Sequence, residues 1–204
     1  MYIYPDVSVL IFTRAPEKGK CKTRLIPYIG EEAAAQLQHN LICKTVAKLC
    51  EKNSFVCQLW CTPSYSNDCF LALTKKYNLI LHKQEGDNLG ERMLHALEQQ
   101  TNRYAIIVGT DIPLLSLEYI ESAILKLQEG NDAVIGPAED GGYVLLGVNQ
   151  VNPTIFKDIH WGTNQVYEQT CNRLNQTNMR WTSIDCLWDL DDINDFKRYQ
   201  NEII

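Results

Sequence analysis

The chain has 204 residues, 45% of them hydrophobic and 22% charged, with a formal net charge of −6. That is enough for one domain with a well-buried core and close to the globular average, which excludes disordered, collagen-like and coiled-coil readings. The acidic balance makes the surface as a whole repel nucleic acid, and no apolar run is long enough to span a bilayer.

Met1 to Asp6 carries neither a basic n-region nor a cleavage signal, so the expected location is cytoplasmic. Ser8 to Thr13 reads as a buried strand, because Val9, Leu10, Ile11 and Phe12 follow one another without a polar break. A basic loop follows, and then Glu31 to Lys52 has helical composition with Leu37, Leu41, Val46 and Leu49 as anchors. Phe55 to Cys61 reads as a second strand, Asp68 to Tyr77 as a helix and Leu79 to His82 as a short third strand. Leu89 to Gln100 is a predicted helix, and Ala105 to Val108 a fourth strand. Ser116 to Gln128 is a predicted helix with Ser116 as N-cap and Gly130 just past its end. Ala133 to Ile135 and Tyr143 to Val148 are predicted strands, the latter a candidate for antiparallel pairing. Asn164 to Leu174 reads as helix, Trp181 to Ile184 as a last strand and Ile193 to Asn201 as a closing helix.

Strand and helix alternate, and the strands are apolar throughout. Both facts predict an α/β fold, with a mostly parallel central sheet and helices on both faces, in one domain over residues 1–204. Such sheets bind ligands at the carboxyl ends of their strands. The eight cysteines form no CxxC pair and no zinc spacing with the histidines. They read as reduced, mostly buried, small apolar residues.

The loop after the first strand holds Arg14, Lys18, Lys20, Lys22 and Arg24, a concentration that stands out on an acidic chain. Lysine offers a phosphate a point charge, arginine a planar fork, and Gly19 lets the backbone come close. This predicts a phosphate site rather than a solvated loop. Gly19-Lys20 does not complete a P-loop, since Cys21 stands where a hydroxyl residue is needed and Arg14 where the first glycine is needed. After the third strand, Gln84 to Met93 reads as a capped helix start with Arg92 in its first turn. After the fourth strand comes Gly109-Thr110-Asp111-Ile112-Pro113. A carboxylate at the end of a buried run is costly unless paired or metal-bound, so Asp111 is a candidate ligand for Mg²⁺ or Mn²⁺. Its other reading, an N-cap, suits Ser116 better. After the fifth strand, Glu139, Asp140, Gly141, Gly142 and Tyr143 form either ordinary hairpin chemistry or a loop whose glycine amides hold an acceptor's anionic group, with Asp140 or Glu139 as base. Near the C-terminus, Asp189 and Asp191 alternate, so in an extended segment they point the same way and call for a cation. The alternative there is a helix start capped by Asp191 or Asp192.

Taken together, Lys22-Thr23-Arg24-Leu25, Gly90-x-Arg92-Met93, Gly109-x-Asp111-x-Pro113, Gly136-Pro137-Ala138-x-Asp140-Gly141-Gly142-Tyr143 and Asp189-x-Asp191 resemble the DUF2064 family in order and spacing from about Val9 to Phe196. That family is similar to GT-A nucleotide-diphospho-sugar transferases and to molybdenum-cofactor and 2-phospholactate guanylyltransferases. The resemblance implies a Rossmann-like nucleotide-binding fold and a divalent metal at Asp111 completed by Asp189 and Asp191. Thr110 stands where serine is commoner and Asn88 where the family usually has aspartate. The expected activity is metal-dependent transfer from a nucleotide-activated donor to a small-molecule acceptor. Arg14, Lys18, Gly19, Lys20, Lys22, Thr23, Arg24, Arg92 and Thr110 are then expected around the donor. Glycosyl transfer from a nucleotide sugar is preferred, nucleotidyl transfer with pyrophosphate release is the alternative, and a non-catalytic nucleotide-binding role is the third reading.

Overall fold

A computed structural model of the chain describes residues 2–202. Among them, strands β1 (Val7–Arg14), β2 (Val56–Thr62), β3 (Leu79–Lys83), β4 (Tyr104–Gly109), β5 (Ala133–Pro137), β6 (Tyr143–Val148) and β7 (Trp181–Ser183) form one sheet. The helices are α1 (Ile26–Cys50), α2 (Asp68–Lys76), α3 (Leu89–Glu98), α4 (Leu117–Gln128), α5 (Val166–Gln176) and α6 (Ile193–Glu202). The strand order is β3-β2-β1-β4-β6-β5-β7, with β6 antiparallel to both β4 and β5 and every other pairing parallel. The mostly parallel α/β sheet read from the sequence is what the chain builds, including the antiparallel strand.

β1 shows why. It pairs with β2 on one side and β4 on the other, and its side chains alternate between two buried clusters. Val7, Val9 and Ile11 pack with residues of α1, α2 and α4, whereas Leu10 and Phe12 pack with residues of α3 and α5. Burying each such side chain contributes about 1.5–3 kcal/mol, so a strand apolar at every position is stable only with both faces covered. A third cluster joins Leu25, Leu37 and Leu41 to Trp188, Leu190 and Tyr199, and holds the C-terminal tail against α1.

Element ends follow local chemistry. Ser116 accepts a hydrogen bond from the Tyr119 N–H and caps α4 as predicted. Asn88 caps α3 through the Glu91 N–H, and a Glu91 carboxylate oxygen accepts from the Asp87 N–H, a reciprocal cap. α1 carries a break at Gly30, where φ is +80°, so the regular helix begins at Glu31 and a single turn from Ile26 precedes it. A 3₁₀ turn at Pro153–Phe156, capped by Asn152, lies where no element was predicted.

Candidate functional site

The carboxyl ends of β1 and β4 open into a cavity of about 470 Å³. Its wall includes Arg14 from the end of β1, Lys22 from the segment after β1, Thr110 and Asp111 from the segment after β4, Arg92 from α3, Tyr143 from β6, and Asp189 and Asp191 from the tail. Residues separated by most of the chain therefore meet where a doubly wound sheet binds ligands.

Packing and alternation deliver the two tail aspartates. After β7, the Leu187 N–H donates to the Pro137 carbonyl, and the Leu190 N–H donates to the Asp111 carbonyl at 2.8 Å. Trp188 and Leu190 are buried in the third cluster, so Asp189 and Asp191 are turned the other way, toward the cavity. Asp192, not Asp191, does the capping: its carboxylate accepts from the Asn194 and Asp195 N–H groups, while Asp195 accepts from the Asp191 and Asp192 N–H groups. The Asp191 carboxylate is thereby left for the site.

Lys22 sits at the centre. Its backbone has φ +47°, a left-handed conformation rare for a long side chain and costing about 1–2 kcal/mol. Its side chain is 2% exposed, and Nζ donates to Asp111 Oδ2 at 2.6 Å and to the Leu190 carbonyl at 2.6 Å, with Asp191 Oδ1 at 3.6 Å. Burial works against the ammonium, but the Asp111 carboxylate, its hydrogen bond, and the Asp191 and Asp189 charges outweigh it and hold Lys22 charged above its ordinary range. Arg24 donates to the other Asp191 oxygen at 2.8 Å from a largely exposed position. Thr110, which is buried, donates to Asp111 Oδ1 at 3.2 Å and lies 3.0 Å from the Thr13 hydroxyl, so it orients the aspartate.

Asp189 is the strained member. Burial first, then the charges of Asp140 and Asp191, push its carboxyl from 3.8 up to about 6. Carboxylates gathered this closely demand a cation, and in this structure the Lys22 ammonium provides it. The donor set is carboxylate and carbonyl oxygen, which suits Mg²⁺ or Mn²⁺. The oxygens of Asp111, Asp189 and Asp191 are not preassembled at ligand spacing, however. Among the described residues, the one trio of His, Cys, Asp or Glu side chains whose ligand atoms all fall within 4.8 Å is elsewhere. Lys22 occupies the place between Asp111 and Asp191.

Several predicted site residues are placed differently. Lys18 pairs with Glu32 and Lys20 with Glu17 at 2.9 Å, both on the exposed outer side of the loop, and Gly19 turns beside them at φ +73°. Thr23 is exposed and, like Arg24, is not part of the cavity wall. Thr110 spends its hydroxyl on Asp111 and Thr13, so its part is positioning. Glu139 reaches away to Arg198 of α6 at 2.8 Å. Both glycine amides of the β5–β6 loop are engaged within the chain: Gly141 N–H donates to the Ala138 carbonyl, and Gly142 N–H to Asp140 Oδ1 at 2.8 Å. The loop therefore offers no free amide pair for an anion at these two positions. Tyr143 is half-buried and lines the cavity, its hydroxyl 3.9 Å from Met93 Sδ.

Gln84 also belongs to the site, where the sequence points to no role for it. It is buried, it lines the cavity, and its amide nitrogen donates to the Trp60 and Thr13 carbonyls at 2.8 and 3.2 Å, tying the ends of β2 and β1 together. Its signal was a polar residue directly after a short strand.

No curated protein sequence matches the chain. Among solved structures, a protein from Desulfovibrio desulfuricans G20 assigned as a nucleotide-diphospho-sugar transferase is 27% identical, with a TM-score of 0.86 over 98% of this chain and 90% of that one. A molybdopterin-guanine dinucleotide biosynthesis protein A from Archaeoglobus fulgidus shares the fold at 13% identity, with a TM-score of 0.58 over 95% of this chain and 97% of that one. The inositol-1-phosphate CTP transferase of T. maritima does so at 9% identity, with a TM-score of 0.56 over 96% and 94%. The family model described as "Uncharacterized protein conserved in bacteria (DUF2064)" matches residues 45–163, more than half of the sequence, so the chain belongs to the DUF2064 family.

Proposed function

We propose that this chain is a transferase that takes a nucleotide-activated donor, a nucleotide sugar in the first reading, and passes the glycosyl group to a small-molecule acceptor. The observation that carries the reading is the buried Lys22 ammonium held between Asp111 and Asp191 at the carboxyl end of the sheet. The fold shared with the Desulfovibrio protein supports it. Asp111, Asp191 and Asp189 are the residues that would hold a divalent cation, which when bound neutralises charge on the donor's diphosphate.

The chain's own residues divide the remaining work. Thr110 fixes the Asp111 carboxylate. Arg14 and Arg92 line the cavity, and Arg92 is braced by its Nε–H bond to the Gly86 carbonyl at 2.9 Å, so its charge is available to phosphate oxygens. Lys22 is a permanent cation at the point where charge develops on the leaving phosphate, which is electrostatic stabilisation already oriented. Asp140 uses Oδ1 on the Gly142 N–H and keeps Oδ2 for an acceptor proton.

Nucleotidyl transfer is the second reading, because a cytidylyltransferase and CTP-dependent transferases share the fold. The test is product analysis with purified protein, Mn²⁺, a panel of nucleotide sugars and nucleoside triphosphates, and a mixture of small hydroxyl and phosphate acceptors. Glycosyl transfer releases a nucleoside diphosphate and no pyrophosphate. Pyrophosphate from a triphosphate would replace the first reading with the second.

A further inference from the structure

Away from the cavity, His39 and Cys43 stand one turn apart on α1, and Cys69 lies in the first turn of α2. One ring nitrogen of His39 and the two sulfurs all lie within 4.8 Å of one another. Cys43 Sγ is 3.9 Å from His39 Nδ1 and 3.8 Å from Nε2. His39 and Cys43 are half-buried and Cys69 is buried, so solvent reaches the cluster through His39 and Cys43. None of the three lines the cavity.

From this geometry we infer a second metal site, for a soft or borderline cation of the zinc class, held by His39, Cys43 and Cys69 with a solvent molecule in the fourth position. One nitrogen and two sulfurs form a donor set that favours Zn²⁺ over Mg²⁺ or Mn²⁺, so it would not compete with the aspartates for the same ion. With bonds of about 2.3 Å to sulfur, ligands of a tetrahedral site lie about 3.8 Å apart. The cluster therefore needs only a small contraction and a turn of the imidazole ring.

At Cys43 burial dominates and raises the thiol, with the Cys69 hydrogen bond and then the Lys76 charge lowering it in part, while Cys69 lies at the amino end of α2, where helix N–H groups favour negative charge. Burial raises both thiols nonetheless, so binding one divalent ion releases two protons, one from each sulfur, and no electron transfer is involved. The ion would staple α1 to α2.

Co²⁺ added to fully reduced, chelator-stripped protein tests this directly. One equivalent should give an intense thiolate-to-cobalt charge-transfer band that one equivalent of Zn²⁺ abolishes. Cys43→Ser and Cys69→Ser should each lose most of the band, His39→Gln should shift it, and Cys186→Ser and Asp111→Asn should leave it unchanged. Wild-type reduced protein without the band would overturn the site, as would a band that survives both Cys43→Ser and Cys69→Ser. Circular dichroism of each variant at the same concentration shows whether it is folded, so a lost band is read only from folded protein.

Discussion

At the scale of residues, Lys22 and Asp189 hold opposite sides of one electrostatic balance. Removing the Lys22 charge in Lys22→Met leaves Asp111 and Asp191 facing each other without their ammonium. Because both carboxylates are partly exposed, the expected stability loss is about 1–3 kcal/mol rather than the larger cost of a fully buried orphan. The same variant should bind Mn²⁺ alone roughly tenfold more tightly, a gain of about 1.4 kcal/mol, because no lysine competes for the carboxylates. Its transfer activity should nevertheless fall. Denaturant melts and metal titration of wild type and variant check both statements.

Asp189 gives a pH dependence with a definite sign. Its folded carboxyl titrates near 6 against 3.8 when unperturbed, so the folded state prefers the proton. The stability this contributes is present below pH 4 and is lost as pH rises to about 6, by at most about 3 kcal/mol. Metal-free wild type should therefore lose stability across that window, and Asp189→Asn should flatten that part of the curve. Asp140 separates turn from catalysis. Asparagine keeps the oxygen that caps the Gly142 N–H but takes no proton, so Asp140→Asn should lower kcat by roughly 10²–10⁴-fold with an unchanged melting temperature if the carboxylate is the base. An Asn variant as active as wild type, beside an unstable Asp140→Ala, would leave the residue a turn former.

At the scale of elements, the sequence made the strands and most helices readable because the core strands are built on apolar runs and α2, α3 and α4 each begin at a capping side chain. Ser116 and the run from Val9 to Phe12 needed no tertiary information. The basic loop misled in part, since a count of charges cannot tell a lysine turned inward from one paired outward. Lys22 and Lys18 look alike in sequence, yet one is buried against Asp111 and the other faces Glu32. The acidic, glycine-rich loop between β5 and β6 misled for a related reason: its amides are satisfied by Ala138 and Asp140, within the turn itself. Gly141 there has φ +89°, and an added Cβ would overlap the Asn164 carbonyl. Gly141→Ala should destabilise the chain by about 1–3 kcal/mol, visible as a lower melting temperature.

At the scale of the whole molecule, the site exists because the end of β1, the segment after β4, α3, β6 and the tail meet at the carboxyl end of the sheet. The tail illustrates this. The spacing of Asp189 and Asp191 suggested a shared direction, but only the burial of Trp188 and Leu190 against α1 decides that this direction is the cavity. Gln84 and Thr13 stayed hidden because their roles are hydrogen bonds across the ends of neighbouring strands, and Thr110, expected beside the donor, instead spends its hydroxyl on Thr13 and Asp111. No described helix is long and apolar enough to cross a membrane, in keeping with the sequence.

The central claim is that Asp111 and its neighbours bind the phosphates of a nucleotide donor together with a divalent cation. It is tested most directly by thermal-shift measurement of wild type and Asp111→Asn against nucleotide sugars and nucleoside triphosphates, each with and without Mn²⁺. One nucleotide should raise the wild-type melting temperature only when the metal is present, and Asp111→Asn, still folded, should lose that shift. A nucleotide shift equal in both proteins, or none with any donor, would contradict it.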